Sequence, residues 1–189
     1  MKYLTYELIA AANDWIKQTG REERLAQKRV ASAIQKYWRE LESLKPRISG
    51  PAWKFFRYGR DETGLHDVRL LSFRVGDGLD YTPDGTAPFR LNRQRLSAMM
   101  EFLNYEQSFH YTFDLRGVRR VRTDFSVDEF LAAKSLGDLY LCELTAPDKQ
   151  TLQLGFLFAN GSTLVVQFRR LVFRRRRIKR QYRVGEMYS

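Results

Sequence analysis

The spacing of apolar residues changes partway along the chain. Between Thr5 and Leu44 they recur at every third or fourth position, and from His66 onward at every second. The first period lays one face of a helix on a core, and the second does the same for a strand. A chain that switches once from one to the other folds as α+β, with its helices gathered at one end of the sequence.

The helical part reads as a hairpin over residues 1–45. Thr5 is an N-cap, Leu8, Ile9, Ala12, Trp15 and Ile16 share a face, and Gly20 stops the first helix. Only glycine enters the left-handed conformation there without steric cost. The second helix runs from about residue 21 to 44, with Glu22 and Glu23 where the helix dipole favours negative charge. Its seam of Val30, Ile34, Tyr37, Leu41 and Leu44 must pack on the sheet or on a second copy of the chain. Pro46 ends it. Residues 46–65 read as a connector, punctuated by Pro46, Gly50, Pro51, Gly59 and Gly64.

Residues 66–189 read as an antiparallel β domain with two short helices. Residues 66–75 make a strand with Leu71, Phe73 and Val75 on one face, Gly76-Asp77-Gly78 a turn, and 79–92 a loop. Asn92 then caps a helix carrying Leu96, Met99, Met100 and Leu103, with Leu91 and Leu96 as its hydrophobic staple. Phe109, Tyr111, Phe113 and Leu115 alternate with polar residues in a half-buried strand. Gly117 separates it from a second strand over 118–123, and Ser126-Val127-Asp128-Glu129 opens a short helix to about 134. Four strands in a meander follow, over 139–146, 151–159, 163–170 and 171–177. For the hairpin at Asn160-Gly161, pairing Ala159 with Thr163 keeps apolar faces together and calls for a three-residue connection, or an Asn-Gly turn plus one bulged residue. Leu115-Arg116-Gly117-Val118 and Phe168-Arg169-Arg170-Leu171 suit equivalent places without establishing a repeat.

Composition then removes whole classes of function. Hydrophobic residues make up 43% of the 189, too many for a disordered chain. No window approaches the roughly 20 apolar residues of a membrane span, and Lys2, Glu7, Asp14 and Lys17 do not suit a signal peptide. A lone cysteine, Cys142, fits a reducing cytoplasm. Phosphate-loop glycine motifs are missing, and two histidines with one cysteine offer no metal-ligand spacing, so neither cofactor nor metal is expected. Catalysis would have to use His66, His110 or Cys142. His66-Asp67 resembles a base held by a carboxylate, but it serves equally as a turn cap. His110 lies on a polar face and Cys142 within an apolar run, so no catalytic residue is assigned.

The charge is concentrated. Lysine and arginine number 33 against 22 acids, and residues 169–183 carry nine of those cations with no acid. Removing them leaves 24 against 22, a nearly neutral body. Arg169, Arg170, Arg174, Arg175, Arg176, Arg177, Lys179 and Arg180 are therefore the candidate binding residues. Guanidinium forks suit bidentate contact with carboxylate or phosphate. Trp53, Phe55, Arg57 and Tyr58, in the aromatic and basic stretch 53–60, are candidates for an anchor or for base stacking. The stripe also suits an edge strand guarded against aggregation by charge.

The opening Met1-Lys2-Tyr3-Leu4-Thr5, the helical N-terminal part and Gly64-Leu65-His66-Asp67 leading into 68–73 resemble a family of uncharacterised bacterial proteins. Segments 111–121 and 152–174 resemble strands of small bacterial immunity-type domains. The resemblance implies an α+β non-enzyme and names no ligand, and the arginine-rich end departs from it. The expectation is a non-enzymatic cytoplasmic bacterial interaction protein of immunity-like character that docks an acidic protein partner through its arginine-rich end. The alternative is a nucleic-acid-binding accessory protein using the same stripe.

Overall fold

The computed structural model describes residues 2, 3, 5, 7, 8, 20–58, 68–76, 79–80, 90–91, 96–104, 106–124 and 138–178. Two helices, α1 (Gly20–Leu44) and α2 (Gly50–Tyr58), flank a 3-10 turn at Lys45–Arg47. Ten strands follow: β1 (Val68–Gly76), β2 (Leu79–Asp80), β3 (Arg90–Leu91), β4 (Ser97–Leu103), β5 (Phe109–Arg116), β6 (Arg120–Asp124), β7 (Asp138–Thr145), β8 (Leu152–Phe158), β9 (Thr163–Phe168) and β10 (Arg170–Arg177). The chain is α+β, with an eight-stranded antiparallel sheet ordered β10-β5-β4-β1-β7-β8-β9-β6 and a separate two-residue ladder of β2 and β3.

Both strands at the ends of that order are continuations of interior ones. Only residues 117–119 separate β5 from β6, and only Arg169 separates β9 from β10. The two breaks lie opposite each other: Arg169 N–H donates to the Arg116 carbonyl at 3.0 Å, and Arg119 N–H to the Gln167 carbonyl at 2.8 Å. Two long bent strands thus pair along their whole length, β5 with β10 and β6 with β9. The pairings run in a ring, closed by a short overlap of β1 with β7 at Val68 opposite Leu139 and Arg69 opposite Asp138.

Gly117 makes the bend possible. Its φ is +64°, and a Cβ there would lie 3.2 Å from the Arg169 side chain. Gly161 has φ +85° with nothing within 4 Å of a Cβ. Gly161→Ala therefore carries only the left-handed cost, about 1–2 kcal/mol, and Gly117→Ala should lose visibly more in urea unfolding. Equal losses would show that the Arg169 contact does not matter.

Inward-facing side chains meet across the ring. Tyr111, Phe113 and Leu115 of β5 point in with Ala98, Met100 and Phe102 of β4, all fully buried. From the other side, Phe156 brings its ring to 5.2 Å from Phe102 and 5.9 Å from Phe113. Tyr37, Leu41 and Leu44 of α1 join the same core and Ile34 packs against it, so that four of the five seam residues pack within the chain. At the edge of β7 that runs past β1, α1 replaces a strand: Leu144 N–H donates to the Tyr37 hydroxyl at 3.3 Å and Ala146 N–H to Glu40 Oε1 at 2.9 Å.

Several expectations change. The helix expected from Asn92 is strand β4, because Ala98, Met100 and Phe102 alternate inward between two partner strands. The connector contains α2, opened by Ser49, whose hydroxyl accepts from Ala52 N–H at 3.4 Å. Pro51 sits in its first turn, where a missing N–H costs nothing. On β1 the ladder shifts between Leu70 and Ser72, leaving Leu71 53% exposed. Val75 is 52% exposed, so only Phe73 of the expected face packs on the core. Ladder residues of β2 and β3 fall within the expected loop 79–92. The hairpin loop does have three residues, Ala159 to Gly161, but Phe158 N–H donates to the Ser162 carbonyl and Leu157 pairs with Thr163. Gly161 takes the third, left-handed place in that loop. Thr5 caps as expected, its hydroxyl accepting from Leu8 N–H at 3.3 Å. The remainder of the first helix, the helix at 126–134, His66, Asp67, Lys179 and Arg180 lie outside the described residues.

Candidate functional site

Strand geometry divides the arginine run. Leu171 and Phe173 of β10 face the core opposite Leu115 and Phe113, so Arg175 and Arg177 share that inner side at its open end. The Arg175 guanidinium stacks 4.9 Å from the Phe109 ring centre. Arg170, Arg174 and Arg176 alternate to the outer side, opposite Arg116, Thr112 and His110. The cations that looked like one stripe in sequence therefore occupy two faces.

The ribbon carries further cations. Arg116, Arg119, Arg120 and Arg122 lie on the partner strand of the same ribbon, and Arg120 and Arg122 project from β6 beside β9. Ten arginines thus stand on the two bent strands and their junctions: Arg116, Arg119, Arg120, Arg122, Arg169, Arg170 and residues 174–177. The sequence signal for this second group was four arginines within seven residues around Gly117. The near-neutral net charge of the body outside residues 169–183 masks it.

Some of these charges are engaged. Arg116 Nε and Nη2 donate to Asp114 Oδ2 at 3.1 and 2.9 Å. Arg119 donates from Nη1 to the Thr151 hydroxyl at 2.9 Å, and the Arg169 stem covers Gly117. Glu101, next to this face on β4, accepts from the Ser72 hydroxyl at 2.6 Å and from Arg74 at 2.7 Å. The Ser72 bond, and then Arg74, hold its carboxyl below the usual range. His110 Nε2 lies 3.6 Å from it. Arg120, Arg122, Arg170, Arg174 and Arg176 remain exposed, and none forms an ion pair among the described residues. Along one strand face such side chains are about 6.7 Å apart.

The aromatic candidates are turned elsewhere. Trp53 is 8% exposed within the core, with Lys45 4.5 Å above its ring. Phe55 stacks on the inward-facing Phe173 at 4.4 Å. Arg57 lies 4.4 Å over Trp38 and pairs with Glu42 at 3.4 Å. Tyr58 is 60% exposed, on α2. None of the four sits on the outer arginine face.

Other reactive groups stay apart from it. Burial, and then the adjacent Glu143 carboxylate, push the Cys142 thiol well above its ordinary pKa, which keeps it protonated and a poor nucleophile. Among the described residues no group of three or more His, Cys, Asp or Glu could hold a metal ion. No described helix is long and apolar enough to cross a membrane. No family model matches this chain, and neither a curated protein nor a solved structure matches it.

Proposed function

We propose that the protein is a non-enzymatic interaction module that docks an acidic protein surface on the outer face of the β5–β10 ribbon. The observation that carries this reading is the row of Arg170, Arg174 and Arg176, exposed on one face without ion-pair partners among the described residues. Their forks suit bidentate carboxylate contacts, and the spacing of about 6.7 Å between Arg174 and Arg176, with Arg170 about twice that distance further along, matches side chains on one face of an extended acidic segment. Charges of this kind raise the association rate and exclude wrong partners more than they add affinity. The reading keeps the immunity-like character implied by the sequence resemblance. A single cysteine with a suppressed thiolate suits a reducing cytoplasm.

Nucleic acid is the competing ligand. Sequence-tolerant single-strand binding calls for aromatic platforms beside the cations. Here Phe55 and Trp53 pack inward, which favours the protein partner.

Fluorescence anisotropy of a labelled twelve-residue aspartate- and glutamate-rich peptide and of a short DNA duplex, over a salt series, tests this. The peptide should bind, and Arg174→Gln with Arg176→Gln should weaken it about tenfold, whereas Arg175→Gln with Arg177→Gln should change it less than about threefold. Tighter duplex binding, with a log–log salt slope of about 0.9 per phosphate, would hand the face to nucleic acid. Equal losses in the two double variants would refute a specific outer face.

A further inference from the structure

Beyond the bend, the ribbon continues into a groove of about 310 Å³ lined by Arg120, Arg122 and Asp124 of β6, Thr163, Val165 and Gln167 of β9, and Gln153 of β8. The register explains it. Arg120, Gln167 and Gln153 stand in one cross-strand row, Arg122, Val165 and Gly155 in the next, and Asp124, Thr163 and Leu157 in the third. Gly155 contributes no side chain to the middle row, which leaves room between Arg122 and the flanking rows. Gln167 Nε2 donates to Gln153 Oε1 at 2.9 Å, so the Gln153 amide nitrogen and the Gln167 amide oxygen are oriented as a donor and an acceptor on the groove.

We propose that this groove binds a small phosphorylated sugar, its phosphoryl group held between Arg120 and Arg122 and a hydroxyl of its body donated to Asp124. Neither guanidinium has an ion pair among the described residues. A phosphate monoester carries up to two charges near pH 7 and accepts forks from both. The volume lies at the lower end for small-molecule sites. Among the described residues Val165 is the only apolar one lining the groove and no aromatic ring lines it, so a hydroxylated body fits better than a nucleobase or an acyl chain. Asp124 stands two residues along β6 from Arg122, about 6.7 Å away, within the span of a pentose phosphate. The site is separate from the outer face of β5 and β10, and does not depend on that face binding a protein.

Isothermal titration of the full chain with ribose 5-phosphate, inorganic phosphate and ribose tests it. Ribose 5-phosphate should bind with a dissociation constant of about 0.01–1 mM. Arg122→Gln should weaken it at least about tenfold. Asp124→Asn should weaken the sugar phosphate several-fold while leaving inorganic phosphate unchanged, and Arg174→Gln with Arg176→Gln should leave both unchanged. Arg122 and Asp124 are exposed, so the unliganded melting temperatures of these variants should match the parent. No binding at 10 mM ligand, affinity unaffected by Arg122→Gln, or inorganic phosphate binding as tightly as the ester would each overturn the proposal.

Discussion

Phe113→Ala should be among the most damaging single truncations in the chain, costing about 3–5 kcal/mol in urea or guanidinium unfolding with an unchanged slope. The ring is fully buried on β5. It meets Phe102 at 5.7 Å, Phe156 at 5.9 Å, Phe173 at 5.2 Å and, from α2, Phe55 at 6.0 Å and Phe56 at 6.2 Å. One side chain therefore joins the near strands, the far strands and the helix, and its removal leaves a cavity that no single element can collapse into. The same ring bears on function. Phe113 stands opposite Phe173, and that inward pair sends Arg174 to the outer face. A slip of one residue would exchange the faces and carry the arginines into the core side. The variant should consequently lose peptide binding together with stability, and recover neither when salt is lowered. A loss below about 1.5 kcal/mol would mean that α2 and the far strands do not converge on this ring.

How far the sequence reveals these arrangements depends on whether the cause is local. Helix α1 is legible to within a residue, because Glu22, Glu23 and the seam lie inside it and Pro46 comes just after it. Strand β5 is legible because Phe109, Tyr111, Phe113 and Leu115 alternate with polar residues. Strand β4 is different. Leu96, Met99, Met100 and Leu103 fit a helix as well as Ala98, Met100 and Phe102 fit a strand, and no β-branched residue decides between them. The partners that decide are β1 and β5, which the local pattern does not contain. In the last hairpin the loop length was readable, but its frame was not. Asn160-Gly161 suits either placement, and the two registers differ by an even step that keeps the same apolar faces together. The arginine ribbon shows the same limit. Each half is visible as a basic run, but residues 116–122 and 170–176 fall on one ribbon only because β5 pairs with β10 and β6 with β9, across some fifty intervening residues.

Glu40→Ala should cost about 2–3 kcal/mol near neutral pH, and the deficit should shrink in acid. Glu40 Oε1 accepts from Ala146 N–H at 2.9 Å, at the edge of β7 where α1 stands in for a strand. Its other oxygen accepts from the Tyr3 hydroxyl at 2.6 Å and from Lys2 Nζ. Lys2 and Tyr3 are themselves pinned by backbone N–H bonds to the buried Glu143 carboxylate at 2.6 and 2.9 Å. Removing Glu40 leaves the Ala146 donor without its acceptor and frees the N-terminal segment from α1. Burial alone would raise the carboxyl pKa, but the Ala146, Lys2 and Tyr3 bonds outweigh it and hold the group below its ordinary value of 4.5. A carboxyl with a depressed folded pKa contributes its stability in full above the unfolded value and loses it as pH falls through the folded one. The gap in unfolding free energy between the parent chain and Glu40→Gln should therefore be widest at pH 6–7 and narrow below about pH 4. Gln keeps an acceptor for Ala146 N–H, so its deficit at neutral pH should be smaller than that of Ala. A gap constant from pH 7 to pH 3.5 would show that Glu40 titrates alike in both states, and that its charge does not hold α1 to the edge of β7.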